Sequence, residues 1–230
     1  MASKKKHATA TAADDTAQSA AERTRANILE VATHEFSEKG LAGARVDEIA
    51  ERTNTSKRMI YYYFESKEGL YRAVLEKAYE QIRRIEGDVT TDQLPPVEAL
   101  RELVGATYDW HNDHPDFVRL VMNENIHRAQ HIGALDILLT RRRSILDLLQ
   151  KLLQRGEKSG DFRKGLDPLD LHMTISALSF YNVSNRHTFS RIFEHDMSAA
   201  KVLCARREVV IDTVLRWCRA DGVATPRRRN

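Results

Sequence analysis

The sequence predicts an all-α protein of about nine helices, with a small N-terminal three-helix domain carrying a helix-turn-helix and a larger helical domain after it. Three observations carry that prediction. No run alternates with period two between turn signals, so no strand is expected. Apolar positions recur at three- and four-residue spacing through most of the chain, most cleanly at Leu135, Leu138, Leu139, Arg142, Ile145, Leu146, Leu149, Leu152 and Leu153. The segment from Val46 to Leu70, VDEIAERTNTSKRMIYYYFESKEGL, has the pattern of two short helices, a tight turn and the start of a third. At 230 residues, with 42% hydrophobic and 30% charged residues, the chain exceeds the usual single-domain size and has an ordinary helical composition.

Residues 1–20, MASKKKHATATAADDTAQSA, lack periodicity and are expected to form a disordered basic arm. Lys4, Lys5 and Lys6 could touch phosphate or a minor groove, and a solvated tail is an equally open reading. The DNA-binding domain is expected over 21–68. Its first helix runs from Ala21 on Ile28, Leu29, Ala32 and Phe36, with Gly40 as the stop. The second places Val46, Ile49 and Ala50 on one stripe and Asp47, Glu48, Glu51 and Arg52 on the wet face. Thr53-Asn54-Thr55-Ser56 then prefers a turn: Asn54 tolerates positive φ, and Thr55 or Ser56 can cap the next helix. The third helix starts near Lys57, with Ile60 and Phe64 inward and Ser56, Lys57, Arg58, Tyr61, Tyr62 and the polar side of Tyr63 outward.

The fourth helix begins at a Ser66 N-cap with Glu68 in its first turn. Leu70, Val74, Leu75 and Ala78 form its stripe to about Glu86, long enough to leave the small domain. Gly87 to Pro96 holds the only Pro-Pro and is the clearest break in the chain, and the second, larger helical domain is assigned to 69–222. The fifth helix is expected to His111 on Leu100, Leu103, Val104 and Tyr108. Asp113-His114-Pro115 ends it, and the sixth follows from Asp116. The seventh is the leucine-rich helix, stopping at Gly156 or Gly160. Asp167-Pro168 starts the eighth, expected over 168–187. Asp196 or Ser198 opens the last helix, on Val202, Val209, Val210, Thr213, Val214 and Trp217. A basic tail occupies 223–230.

Net charge is only +3, and residues 1–70 carry eleven Lys or Arg against eleven Asp or Glu, so bulk charge does not argue for nucleic acid. Local asymmetry does: Arg45, Arg52, Lys57, Arg58 and Lys67 can gather on one face if the acidic residues of the second helix turn away. The second helix of a helix-turn-helix lays its N-terminal residues in the major groove. Lys57 and Arg58 stand there, and tyrosine hydroxyls suit phosphates. The plainer reading is an amphipathic hairpin with a solvated charged face.

Polar residues concentrate at Asn123, Glu124, Asn125, His127 and Arg128 in the sixth helix and at Tyr181, Asn182, Asn185, Arg186 and His187 in the eighth. They either converge on a small-molecule pocket, with Tyr108, Trp110 and Phe117 as walls, or form an interhelical network. The pocket candidates are Tyr108, Trp110, Phe117, Asn123, His127, Tyr181 and Asn182. His127 and His131 have metal-ligand spacing without an HExxH context, and no metal or cofactor is expected. GxGxxG, GxxxxGK[ST] and GxSxG are all missing, so an enzyme is not expected. No apolar run reaches the roughly 18–20 residues of a membrane span and no signal-peptide core is present, so a cytoplasmic protein without membrane association is expected. Cys204 and Cys218, about 21 Å apart on one helix at 1.5 Å per residue, are too far apart to bridge.

The stretch GLAGARVDEIAERTNTSKRMIYYYFESKEGLYRAVL, Gly40 to Leu75, resembles the DNA-binding domain of the tetracycline-repressor (TetR) family. Phe36, Gly40, Val46, Ile49, Ala50, Ser56, Lys57, Tyr62, Phe64, Lys67, Glu68 and Leu70 match. Ala44 stands where Thr is usual, Asn54 where Gly is usual and Tyr63 where His is common; Arg45 is the candidate substitute for the lost threonine contact. The resemblance implies a homodimeric transcriptional regulator, most plausibly a repressor released from a palindromic DNA operator by a small-molecule inducer. A constitutive DNA-binding protein whose C-terminal half only dimerises is the alternative. Implied DNA contacts are Arg45, Thr55, Ser56, Lys57, Arg58, Tyr61, Tyr62, Tyr63 and, at phosphate, Lys67. Dimerisation is implied through the last two long helices, with Leu178, Phe180, Val210, Val214 and Trp217 as candidate interface residues.

Overall fold

The computed structural model describes residues 3–88, 92–134 and 136–220. The expected basic tail at 223–230, Leu135 and part of the Gly87–Pro96 break lie outside the described residues, as do the side chains of Lys4, Lys5, Lys6, Leu138, Leu139 and Arg142. Among the described residues there are ten α-helices: α1 (Ser3–Gly43), α2 (Val46–Arg52), α3 (Lys57–Phe64), α4 (Lys67–Asp88), α5 (Pro96–Asp113), α6 (Pro115–Ile126), α7 (Asp136–Ser159), α8 (Pro168–Ser184), α9 (Arg186–Ile192) and α10 (Ala200–Cys218). Among the described residues there is no strand, only an isolated bridge between Phe162 and Arg219. No described helix is long and apolar enough to cross a membrane.

Two compact units divide within α4, Met1–Glu76 and Lys77–Asn230, rather than at the expected 68/69 boundary. In the first unit, Ile28, Leu29, Ala32 and Phe36 of α1 pack with Val46, Ile49, Ala50, Ile60 and Phe64 of the helix-turn-helix. Leu70, Tyr71, Val74 and Leu75 of α4 complete this buried set. The α4 contribution explains the later division: the first turns of α4 belong to this core. Phe36 meets Tyr71 edge to face at 5.0 Å. Each fully buried aliphatic or aromatic chain contributes about 1.5–3 kcal/mol by leaving water.

The backbone carries α1 from Ser3, whereas 1–20 were expected to lack structure. That stretch is alanine-rich and holds neither Gly nor Pro, so helix propensity continues the helix without an apolar stripe. The expected stop is a kink at Gly40, φ 64°, beyond which one further turn reaches Gly43.

In the second unit α5, α7, α8 and α10 surround a core of Leu100, Leu103, Val104, Leu149, Leu152, Leu171, Ile175, Ile211 and Leu215, among others. Phe162, just past α7, plugs it. A Cβ on Gly156 would stand 2.0 Å from the Phe162 ring, so only glycine admits this plug. Arg207 of α10 lies over Gly105 of α5 and bonds both oxygens of Asp109 at 2.9 Å, tying the two helices together.

The C-terminal reading needs two corrections. The helix expected over 168–187 ends at Ser184, a short α9 intervenes, and the last helix starts at Ala200 rather than Asp196 or Ser198. Asn185 occupies φ −107°, ψ 6° between α8 and α9 while its amide bonds Ser184 Oγ at 2.8 Å, the local competition with the backbone that Asn and Ser offer. Asp196 instead accepts from the Ser198 backbone N–H at 2.8 Å, holding a turn. Val210 and Val214, expected at a dimer interface, are 1% and 0% exposed in the core of a single chain, so they have no surface to give a partner. Leu178 and Trp217 are also packed, in part, against that core.

Candidate nucleic-acid interface and ligand cavity

The helix-turn-helix is assembled by local chemistry. Thr53 is buried and its hydroxyl donates to the carbonyls of Ile49, at 2.7 Å, and Ala50, closing α2. Asn54 takes φ 51° in the turn, and Ser56 caps α3 by accepting from the Met59 N–H at 3.2 Å. With Ile60 and Phe64 buried, α3 exposes Lys57, Arg58, Tyr61 and Tyr62, the last at 77%. Tyr63 and Thr55 are half-buried, and Tyr63 meets Tyr62 edge to face at 5.4 Å. Rings held in water at this exposure forgo burial that their neighbours obtain. Arg25 places its guanidinium 5.1 Å over the Phe64 ring, bracing α1 on the end of α3.

Ala44 is buried, and Arg45 precedes α2 without a side-chain cap; its backbone N–H donates instead to Glu35 Oε1 at 3.2 Å. Glu35 is a residue that sequence reasoning missed. Its carboxylate is 3% exposed and also holds Lys39 at 2.9 Å and Arg52 at 3.8 Å. Its place on α1, one position before Phe36 and four before Lys39, was the available signal. Lys67 Nζ donates to the Ala42 carbonyl at 3.3 Å, fixing the start of α4 on the end of α1.

The acidic residues of α2 do not turn away from the cations as expected. Asp47 is ion-paired with Lys57 and lies 3.9 Å from Arg45; Glu48 is hydrogen-bonded to Lys39 and lies 4.0 Å from Arg45. Long basic side chains from α1, from Arg45 ahead of α2 and from α3 reach the first turn of α2, where both carboxylates stand. The Lys39 hydrogen bond holds the Glu48 carboxyl below its usual range, and Glu48 and Glu35 hold the Lys39 ammonium above its own. Arg58, by contrast, carries no ion pair among the described residues.

In the second unit a cavity of about 800 Å³ opens between α8, α9, the α9–α10 turn and α10. Its apolar walls include Phe189, Met197, Val202, Ala205 and Val209, and its polar residues include Asn182, His195, Lys201 and Arg206. Of the pocket residues expected from sequence, Tyr181 and Asn182 line it. Tyr108 is buried in the core, while Trp110 and Phe117 pack on each other at 4.8 Å. Asn123 is half-buried, and His127 is exposed with its Nδ1 on the Asn123 carbonyl at 2.8 Å. His131 turns to buried Glu124 instead, at 2.9 Å.

Asn182 and Arg186 both donate to Asn112 Oδ1, at 2.8 and 2.7 Å, joining α8 and the start of α9 to α5. Beside this network Tyr108 Oη, Ser179 Oγ, Asn182 Oδ1 and Arg186 Nε are buried without a hydrogen-bond partner among the described residues. Burial pushes the Tyr108 hydroxyl above its usual range, against the pull of the nearby Arg206 guanidinium.

A capped helix that exposes basic and aromatic side chains from a small helical unit, joined to a larger helical unit, defines a helix-turn-helix DNA-binding regulator. Residues 28–74 match the family described as bacterial regulatory proteins, tetR family, and residues 96–214 match the tetracyclin repressor-like C-terminal domain. The HTH-type transcriptional repressor NicS of Pseudomonas putida is 33% identical over 86% of this chain and 94% of its own. Among solved structures, SCO4942 of Streptomyces coelicolor superposes with a TM-score of 0.63 at 28% identity, covering 83% of this chain and 96% of that one. A structure reported as the molecular basis for control of antibiotic production by bacterial hormones gives 0.58 at 25%, covering 86% and 98%. The protein belongs to the TetR family of DNA-binding transcriptional regulators.

Proposed function

We propose that the protein is a homodimeric repressor that reads a palindromic operator with α3 and leaves it when a small molecule binds the C-terminal unit. The carrying observation is α3 itself: capped, anchored by Ile60 and Phe64, and exposing Arg58, Tyr61 and Tyr62. In this reading Arg58 donates to a base edge, while Arg45, Thr55, Ser56, Tyr61, Tyr62, Tyr63 and Lys67 position the domain on sugar and phosphate. NicS, a repressor, supports the direction of control, and the hormone-linked structure supports a small-molecule signal.

The dimer surface is assigned to exposed residues of the second unit. Leu169, Met173 and Tyr181 form an apolar stripe along α8, and Val209 is exposed on α10. The α4 helix contributes residues to both units and so is the element through which ligand binding would be transmitted. An inducer must bind the DNA-incompetent state more tightly, and operator DNA must weaken inducer by the same factor.

Selection of bound duplexes from a random pool tests the reading. An inverted repeat with half-sites about one turn, roughly 34–36 Å, apart, bound by two chains, is expected. Unrelated, asymmetric sequences bound by single chains would contradict it. A screened compound that both raises the melting temperature and releases the selected duplex is the expected inducer; stabilisation without release favours a constitutive binder.

A further inference from the structure

We propose that Asp47 is a specificity-determining residue of the DNA-contacting face, acting through Lys57. The proposal rests on the reading of α3 as the DNA-contacting helix. Lys57 opens α3, and its ammonium is ion-paired with the Asp47 carboxylate of α2. The two side chains are 54% and 39% exposed, so the pair lies at the water-facing surface, where such pairs add little stability. Its consequence is electrostatic.

Non-specific affinity is set by how many phosphates a protein neutralises and how many counterions it thereby releases. A lysine held by a carboxylate brings almost no net charge to a phosphate, and phosphate must displace Asp47 to take it. A base edge has no such competition. An ammonium has three N–H donors, and the one engaged by Asp47 leaves two for guanine O6 and N7. Asp47 therefore discounts Lys57 as a phosphate cation and orients it as a base-reading donor. Arg45, 3.9 Å from the same carboxylate, is discounted in part as well.

Asp47→Asn keeps a polar side chain in the first turn of α2 and removes the charge. Glu51→Gln, an exposed α2 position not bonded to Lys57, makes the same charge change as a control. Fluorescence anisotropy on the selected operator and a scrambled duplex is followed across salt concentrations, with circular dichroism confirming the fold. Asp47→Asn is expected to tighten the scrambled duplex several-fold at low salt and steepen its log K against log salt by about 0.9. The operator gains less, so the preference for it falls. In a Lys57→Met background these effects of Asp47→Asn disappear. An Asp47→Asn effect no larger than that of Glu51→Gln, one that persists without Lys57, or weaker binding to both duplexes overturns the proposal. If instead Arg58→Ala leaves operator binding unchanged, the reading of α3 fails; a preference lost in Arg58→Ala but kept in Asp47→Asn overturns this inference alone.

Discussion

Cys204 and Cys218 lie on the same helix and differ in what governs thiol chemistry. Cys204 is exposed; Cys218 is buried at the end of α10, where desolvation pushes its thiol up to about 12, so almost no thiolate forms near neutral pH. With native protein, a thiol reagent is expected to modify one cysteine rapidly and the second only after denaturation. Two rapid reactions would contradict the packing of the end of α10. His111 offers a pH test. Burial holds its imidazole below the usual 6.5, while Nδ1 donates to the Thr107 carbonyl at 2.7 Å. The folded pKa is depressed, so as pH falls the unfolded chain takes the proton first. The contribution is intact above about 6.5 and is lost below it. The melting temperature is expected to drop between pH 7 and pH 5 less steeply in His111→Gln than in the parent; equal slopes would refute this. At this scale the sequence disclosed residues whose chemistry is local, such as Asn54 at positive φ and the Ser56 cap. Partners distant in sequence, such as Asn112 for Asn182 and Arg186, left no local mark.

The junction of α3 and α4 depends on one missing side chain. A Cβ on Gly69 would stand 2.0 Å from the Phe64 carbonyl oxygen, a backbone atom that cannot yield without moving the end of α3. Gly69→Ala is therefore expected to destabilise the first unit by about 1–3 kcal/mol in urea unfolding and to weaken DNA binding with it. A variant as stable as the parent would show that α3 and α4 are not in this contact. The helices α2 to α8 were legible because each has a local signal: an apolar stripe, a capping residue or a proline at its start. The interruption that creates α9 was not, because Asn185 is neither Gly nor Pro and apolar Phe189 follows within the same periodic register. The start of α1 was missed for the opposite reason, since an alanine-rich helix needs no stripe.

For the whole molecule, periodicity reports which helix face is covered but not whether the cover comes from the same chain. The family resemblance implied a partner over Val210 and Val214, and the core of one chain claims both. Trp217 is partly packed on the same core beneath the Arg163 guanidinium, 4.9 Å from its ring. Met173, 61% exposed on α8, carries the proposed dimer surface instead. Met173→Glu is expected to give folded monomers by light scattering with lost operator binding, whereas Trp217→Glu loses stability first, by about 2 kcal/mol or more. A dimeric Met173→Glu protein would move the interface elsewhere. The lining of the cavity was the least legible: Tyr181 and Asn182 reach it, Trp110 and Phe117 pack on each other, and the remaining walls include Phe189, Met197 and Val202, residues without distinguishing local chemistry.

DNA reading by α3 stands or falls with Arg58→Ala, since Arg58 is exposed and carries no ion pair among the described residues. Anisotropy titrations of this variant on the selected operator and on a scrambled duplex, at matched salt, separate base reading from phosphate attraction. Operator affinity is expected to fall by about 1–3 kcal/mol, with binding to the scrambled duplex much less affected and discrimination relaxed at one base pair of each half-site. A folded Arg58→Ala protein that binds both duplexes as the parent does would contradict it.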